Sequence, residues 1–377
     1  MNFAGRIFHL DYDRSHRIFG LDLMRSIGIL LVLEAHAYHL IVNYFPEKFL
    51  FIPLLDKVAF SFVLSGFLIG SSLVKMYDRD DFGWKPVKTY WIRRWLRTIP
   101  TYFVVIVALI LLRYTFTHVG FIFPWKHFLF VQNLWKPEAD PYYFYPEGWS
   151  LSVEEWFYFL VPALVLAGNY VVAPLTGRKT WFVMVAILLL VMSNALRVYK
   201  ASLTDEMNVY DWNIHFRKIV LLRMDTLMFG VLAAFVRFHF RKFWEQNRKF
   251  FFFVFCAGMA LTLGLYPFFL KQNYWLKTFY ITQVGLLVAM LLPLFDGMRQ
   301  TSGRWVQICG WLSQISFCIY LLNRTPVLQS MMQLLPPQNV WMAAAEYVLY
   351  FAITLAAATL MHKYVERPIL QFRERFK

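Results

Sequence analysis

Charged side chains are scarce in this chain. Only 16% of its 377 residues are Asp, Glu, Lys or Arg, whereas 59% are hydrophobic and 20% are aromatic. A soluble globular protein of this size needs more polar surface than that, so the composition excludes this class and indicates a membrane protein. Its spans are expected to be helices, because lipid cannot satisfy exposed backbone hydrogen-bonding groups.

Cysteine is also rare, with three residues in the whole chain. Cys256, Cys309 and Cys318 lie in or beside apolar stretches, and their spacing matches neither a metal site nor a paired disulfide framework. We therefore expect all three to be packing residues.

The apolar residues form ten runs of about the length that spans a bilayer. The runs lie near 27–45, 57–75, 98–117, 152–172, 180–197, 217–237, 249–270, 276–296, 310–334 and 340–362. We predict an all-α polytopic membrane protein of about ten transmembrane helices. We expect one membrane domain over residues 1–377, with no appended soluble domain.

The net charge of +15 is unevenly distributed. Lysine and arginine concentrate in alternate connections between the apolar runs, and the positive-inside rule then places both termini in the cytoplasm. The protein is accordingly expected to be a multi-pass protein of the inner membrane. Because much of the basic charge is explained by topology, nucleic acid is not expected as a partner.

Arg93, Arg94 and Arg97 stand in a strongly charged connection after the second run. Arg94 and Arg97 are three positions apart, so a helix would place both guanidinium groups on one face. Arginine forms bidentate hydrogen bonds with phosphate groups, which makes this segment a candidate phosphate site. Anionic lipid headgroups would satisfy the same charges, and the residues alone leave both interpretations open.

Ionisable residues lie just before the first apolar run and within it. Arg25 and His36 are eleven positions apart, so in a helix they point in nearly the same direction, roughly 16 Å apart along the axis. Such residues inside a membrane are usually functional, and a neutral imidazole can act as a general base. A core histidine bonded to a carbonyl group is equally compatible. Glu34 points elsewhere, so we expect it to pair with another helix.

Other polar residues mark the fourth and sixth runs. Glu154, in the segment that begins at Trp149, could orient a catalytic imidazole or complement the dipole at a helix N-terminus. Arg223 and Asp225 are expected to neutralise charge between helices. From these residues alone, an enzyme and a transporter of an anion are both compatible with the sequence.

Several motifs resemble, in the same order, those of the acyltransferase-3 family of integral membrane O-acyltransferases. The matching segments are 20–25 with His36, 62–69, 93–100, 132–133, 149–158, 223–225, 315–317 and 364–368. The chain departs from the family pattern at Ala59, where an acidic residue is often present, and at Asn323, where histidine is usual. Asparagine can form hydrogen bonds but cannot shuttle a proton.

The resemblance implies transfer of an acyl group, often acetyl, from acyl-CoA to a hydroxyl group of a glycan, lipid-linked sugar or secondary metabolite. It makes His36 the catalytic residue, with Glu154 in support, and requires no metal. The implied donor site is Arg25, Arg93, Arg94 and Arg97, and the implied acceptor site is Trp149, Arg223, Asp225 and Asn323. The alternative is a membrane transporter of an anionic metabolite or glycan, without enzymatic activity.

Overall fold

The computed structural model describes residues 17–44, 56–117, 123–137, 144–204, 207–272, 274–300 and 302–376. These ranges are largely α-helical and contain no β-strand, which confirms the predicted all-α class. Ten helices follow the ten apolar runs. They are α1 (Phe19–Ile41), α2 (Lys57–Tyr77), α3 (Trp84–Thr117), α4 (Gly148–Val171), α5 (Arg178–Ser202), α6 (Met224–His239), α7 (Arg248–Gln272), α8 (Tyr280–Ala289), α9 (Arg304–Leu322) and α10 (Val340–Met361).

Short helical segments connect or extend these helices. Single-turn or slightly longer α-helices are Trp125–Phe128, Ala173–Thr176, Val209–Trp212, Arg241–Gln246, Tyr274–Thr278, Leu292–Gly297, Ser330–Leu334 and Arg367–Arg373. Three segments are π-helical, namely Asn213–Arg217, Asn323–Gln329 and His362–Glu366, and Val220–Leu222 is a 3₁₀ turn. Wide π-helical turns are rare and frequently occur at functional sites.

Eight of the described helices, taken with their extensions, are long and apolar enough to cross a membrane. The other two of the ten are α1 and α6. Helix α1 has 23 residues, but its polar positions include Asp22, Arg25 and Glu34. Helix α6 has only 16 residues, because the chain before Met224 forms π-helical and 3₁₀ turns instead of the continuous helix that the run at 217–237 predicted.

Glycine brings the backbones of α2 and α6 into direct contact. A Cβ atom added at Gly66 would lie 2.0 Å from the carbonyl oxygen of Leu227, and one added at Gly230 would lie 2.2 Å from that of Val63. Small residues allow close backbone approach between helices in lipid, where the hydrophobic effect does not drive helix association. The contact fixes α2, which carries Ser65 to the wall of an interior cavity.

A buried ion pair links α5 to α6. Arg197 and Asp225 are both fully buried, and their nitrogen and oxygen atoms are 2.6 Å apart. Thr282 of α8 donates to the same carboxylate oxygen at 2.6 Å, and Arg197 Nε donates to the carbonyl oxygen of Thr278 at 2.8 Å. Such a satisfied pair is tolerated inside a protein, whereas removing one partner leaves an uncompensated buried charge.

Candidate active site

A cavity of about 650 Å³ is lined mainly by residues of α1, α2, α3, α4 and α9. Its size is typical of small-molecule sites. We call the part lined by Arg25, Arg94 and Arg97 the arginine end. The part lined by His36, His39, Glu147, Lys218 and Arg324 is called the histidine end.

The arginine end presents three guanidinium groups to one space. Arg25 Nη1 donates to Ser313 Oγ of α9 at 3.3 Å, and the Arg94 guanidinium lies 5.8 Å from the ring centroid of Tyr158. Arg97 makes no hydrogen bond and no ion pair with any residue that the structure describes. These positions leave guanidinium donors available to an anionic ligand.

Arg93, the fourth arginine of the predicted donor set, does not lie on the cavity wall. Successive residues of an α-helix are rotated by about 100°, so Arg93 cannot share the direction of Arg94. The structure therefore brings three of the four arginines together and places the fourth on the flank of α3.

Asn323, at the end of α9, fixes the imidazole of His36 by a hydrogen bond. Nδ1 of His36 makes a short hydrogen bond with Oδ1 of Asn323. The Asn323 amide nitrogen donates to the carbonyl oxygens of Ile319 at 3.0 Å and Tyr320 at 2.8 Å, so Oδ1 must be the atom that faces the ring. Because Oδ1 only accepts, Nδ1 carries the proton in the neutral ring and Nε2 keeps its lone pair.

Asn323 is fully buried and is not itself part of the cavity wall. Sequence reasoning placed it in the acceptor site, because it replaces the histidine that is usual in the family. In the structure Asn323 lies outside the cavity wall, and its hydrogen bond to His36 sets the orientation and tautomer of the imidazole. Its contact with His36 of the first apolar run could not be read from local sequence.

Three consecutive residues of the π-helical turn Asn323–Gln329 have separate roles around the site. Asn323 binds His36, and Arg324 lines the cavity. Thr325 donates to the Glu147 carboxylate twice, from its backbone nitrogen at 2.8 Å and from its hydroxyl at 2.7 Å. The turn therefore joins α9 to the start of α4 and to α1.

Glu154 lies on the cavity wall, but its carboxylate is held by other side chains than His36. Ser65 donates to Oε1 at 3.1 Å, and Tyr158 donates to Oε2 at 2.6 Å. Trp149 is also a wall residue, with the Arg217 guanidinium 5.1 Å from its ring centroid. Both predicted residues thus face the cavity, and Glu154 is bound by Ser65 and Tyr158 and makes no hydrogen bond to the His36 imidazole.

Arg223 and Asp225, which the sequence placed in the acceptor site, do not line the cavity. Asp225 is paired with Arg197, as described above. Arg223 is fully buried and is paired with Asp56, which does lie on the wall. In this structure the two residues support the cavity from behind.

Sequence reasoning missed an ionic network around the histidine end. Asp56 accepts from Arg217 at 2.8 Å and from Arg223. Burial raises the pKa of the Asp56 carboxyl, but the two guanidinium groups outweigh this effect and lower the pKa to about 2. Lys57 is paired with Glu34 at 2.5 Å, so Glu34 does pair with another helix. The contacts of Asp56 join residues more than 160 positions apart, which no local motif can show.

Lys218 is a further cation of the histidine end, in the connection before α6. Asn133 donates to the carbonyl oxygens of Lys218 at 2.5 Å and Trp149 at 3.0 Å, which gives the segment 132–133 a structural role. Burial, followed by the nearby charges of Arg324 and Arg217, lowers the pKa of Lys218 to about 7. Cationic groups are therefore crowded at this end of the cavity.

A second buried cluster joins α9 to the π-helical turn after α10. Glu366 Oε2 lies 2.7 Å from Nδ1 of His362 and accepts from Cys318 Sγ at 3.2 Å. One ligand-type atom from each residue lies within 4.8 Å of the others. Cys318 thus contributes a polar contact beyond the packing role expected from sequence, and the cluster is satisfied by its own hydrogen bonds.

Comparison with known proteins gives a consistent assignment. A family model described as an acyltransferase domain matches residues 18–363. Over 244 residues the chain is 29% identical to a putative O-acetyltransferase of Staphylococcus aureus, covering 60% of this chain and 36% of that protein. Over 168 residues it is 29% identical to a peptidoglycan O-acetyltransferase of Listeria monocytogenes, covering 41% of this chain and 25% of that protein. No solved structure matches the chain.

Proposed function

The chain belongs to the acyltransferase-3 family, and from this premise we propose that it transfers an acetyl group from acetyl-CoA to a hydroxyl group of an acceptor. The observation that carries the proposal is a single cavity lined by both the arginines and His36. The names of the two relatives support O-acetyl transfer, and one of them names peptidoglycan. The acceptor class is a glycan, a lipid-linked sugar or a secondary metabolite.

The donor binds at the arginine end. Arg25, Arg94 and Arg97 hold the phosphate groups of acetyl-CoA, because guanidinium groups form charge-assisted, bidentate hydrogen bonds with phosphate. The distribution of lysine and arginine along the sequence supports a cytoplasmic position for this end, where acyl-CoA is available. The pantetheine arm then follows the cavity toward His36, roughly 16 Å further along α1.

The acceptor hydroxyl meets the thioester beside His36. Nε2 takes the hydroxyl proton as the oxygen attacks the thioester carbonyl. The tetrahedral intermediate collapses with cleavage of the carbon–sulfur bond, and the leaving CoA sulfur recovers the proton from the imidazolium. Asn323 Oδ1 accepts from Nδ1–H throughout, so the ring stays aligned and its transient positive charge is stabilised. Direct attack by Nε2, which gives an acyl-histidine, uses the same lone pair.

The test is acetyl-CoA-dependent thiol release by detergent-purified protein with a panel of glycan and metabolite acceptors. We expect release to depend on the acceptor and to fall by about a hundredfold or more in His36→Ala. His215→Ala is the matched control, because His215 is exposed and lies outside the cavity wall. Release that is unaffected in His36→Ala would remove this residue from the mechanism. No release with any acceptor would contradict acyl transfer by this chain.

A further inference from the structure

Arg324 is a half-buried cation on the cavity wall beside His36. It makes no hydrogen bond and no ion pair with any residue that the structure describes. Partly buried arginines are normally paired, because desolvation of the charge is otherwise uncompensated. A guanidinium group in this setting is available to a ligand.

The carboxylates around Arg324 are held by other partners. Asp56 is bound by two arginines, and Glu34 is paired with Lys57. Glu147 accepts two hydrogen bonds from Thr325. The acidic groups that the structure describes at the histidine end therefore leave the charge of Arg324 without a direct partner.

A second cation faces the same space. Lys218 lines the cavity, and its backbone is anchored by Asn133. Burial lowers the pKa of Lys218 to about 7, and Arg324 is the neighbour with the largest electrostatic effect on it. Each cation disfavours the charged form of the other, and one anion placed between them would stabilise both.

We propose that the histidine end is an anion-binding subsite in which Arg324 and Lys218 bind a carboxylate or phosphate group carried by the acceptor. This inference rests on the proposed function, since it assigns the donor phosphates to the arginine end. The acceptor is then an anionic glycan or metabolite whose hydroxyl group lies within reach of His36. A carboxylate sugar and a sugar phosphate share the chemistry that the subsite recognises.

The subsite can be tested by binding alone, without turnover. Dissociation constants are measured in detergent at low, fixed ionic strength for three probes: methyl glucuronoside, methyl glucoside and glucose 1-phosphate. The first two differ only at C6, which is a carboxylate in the glucuronoside and a hydroxymethyl group in the glucoside, and the third reports on phosphate. We expect at least one anionic probe to bind about tenfold more tightly than methyl glucoside to the wild-type protein.

Arg324→Gln should abolish this preference, and Arg324→Lys should retain part of it because the charge remains. Arg304→Gln is the matched control, since Arg304 is exposed at the start of α9 and lies outside the cavity. Size-exclusion chromatography establishes that each variant is folded. Equal binding of neutral and anionic probes by the wild type would overturn the proposal, as would a preference that survives in Arg324→Gln.

Turnover separates this inference from the proposed function. With an accepted anionic substrate, Arg324→Gln should raise KM for that acceptor about tenfold and leave KM for acetyl-CoA unchanged. An equal loss of kcat with neutral and anionic acceptors would assign Arg324 to the transition state instead, and the subsite would be refuted. Anion binding that depends on Arg324 in a protein without any CoA release would refute acyl transfer and keep the subsite.

Discussion

Replacing Asn323 by leucine tests whether a residue outside the cavity wall controls the chemistry of His36. The substitution removes the oxygen that accepts from Nδ1 of His36 and puts an apolar side chain of similar branching in a fully buried position. The two carbonyl oxygens that accept from the Asn323 amide belong to residues three and four positions earlier in α9. The loss of this extra donor to the two carbonyl oxygens should change the stability of α9 little.

The size of the effect follows from the unsatisfied Nδ1–H group. A buried donor without an acceptor costs about 1–3 kcal/mol. The ring avoids this penalty by turning or by moving its proton to Nε2, and either response removes the base that faces the cavity. Since about 1.4 kcal/mol corresponds to a factor of ten, we expect kcat to fall by about tenfold to a hundredfold. KM for acetyl-CoA should not change, because the arginine end is untouched.

The assay is the initial rate of thiol release at saturating acetyl-CoA with an accepted acceptor. Gln283→Leu is the matched control, because it also removes a partly buried amide, whose hydrogen bond to Thr262 measures 2.6 Å and lies away from the cavity. That variant should lose stability and keep kcat. If Asn323→Leu retains kcat within about twofold of the wild type, or resembles Gln283→Leu, the positioning role of Asn323 is refuted.

Three other predictions concern the donor site and the scaffold. Arg97→Gln should raise KM for acetyl-CoA about tenfold, whereas Arg93→Gln, which alters a residue off the cavity wall, should leave it near the wild-type value; equal effects would contradict the donor assignment. Gly66→Ala should prevent folding, because its Cβ would lie 2.0 Å from a backbone oxygen. Gly264→Ala is the control, since a Cβ there has nothing within 4 Å, and this variant should elute as a folded protein in size-exclusion chromatography. Arg197→Met should destabilise the protein by about 3–5 kcal/mol, because it leaves a buried carboxylate unpaired; a melting temperature equal to that of the wild type would refute this reasoning.

The parts of the structure that depend on periodicity could be predicted from sequence. Ten apolar runs predict the ten helices, and the spacing of Arg25 and His36 predicts that both side chains face one space. The start of α6 could not be predicted, because hydropathy does not distinguish an α-helix from the π-helical and 3₁₀ turns that precede Met224.

Residues whose roles depend on distant partners also could not be predicted from the sequence. Asn323 meets His36 across 287 positions, and Asp56 meets Arg217 across 161. No role for Arg324 was predicted from the sequence, because the availability of its charge depends on how its neighbours are paired. Local patterns show which polar residues are unfavourable in a membrane. Only the packed structure shows which of them already have hydrogen-bond or ion-pair partners.

The π-helical turn at the end of α9 makes the site sensitive to chain length as well as to residue type. A π-helical turn accommodates one more residue than the α-helical path it replaces. Deleting a single residue within Asn323–Gln329 would let the helix run on regularly and would rotate every later position by about 100° relative to α1. Hydropathy and composition would barely change, yet Asn323, Arg324 and Thr325 could not all keep their positions around the cavity. We therefore expect a one-residue deletion here to change the shape of the cavity even where every side chain that lines it is retained.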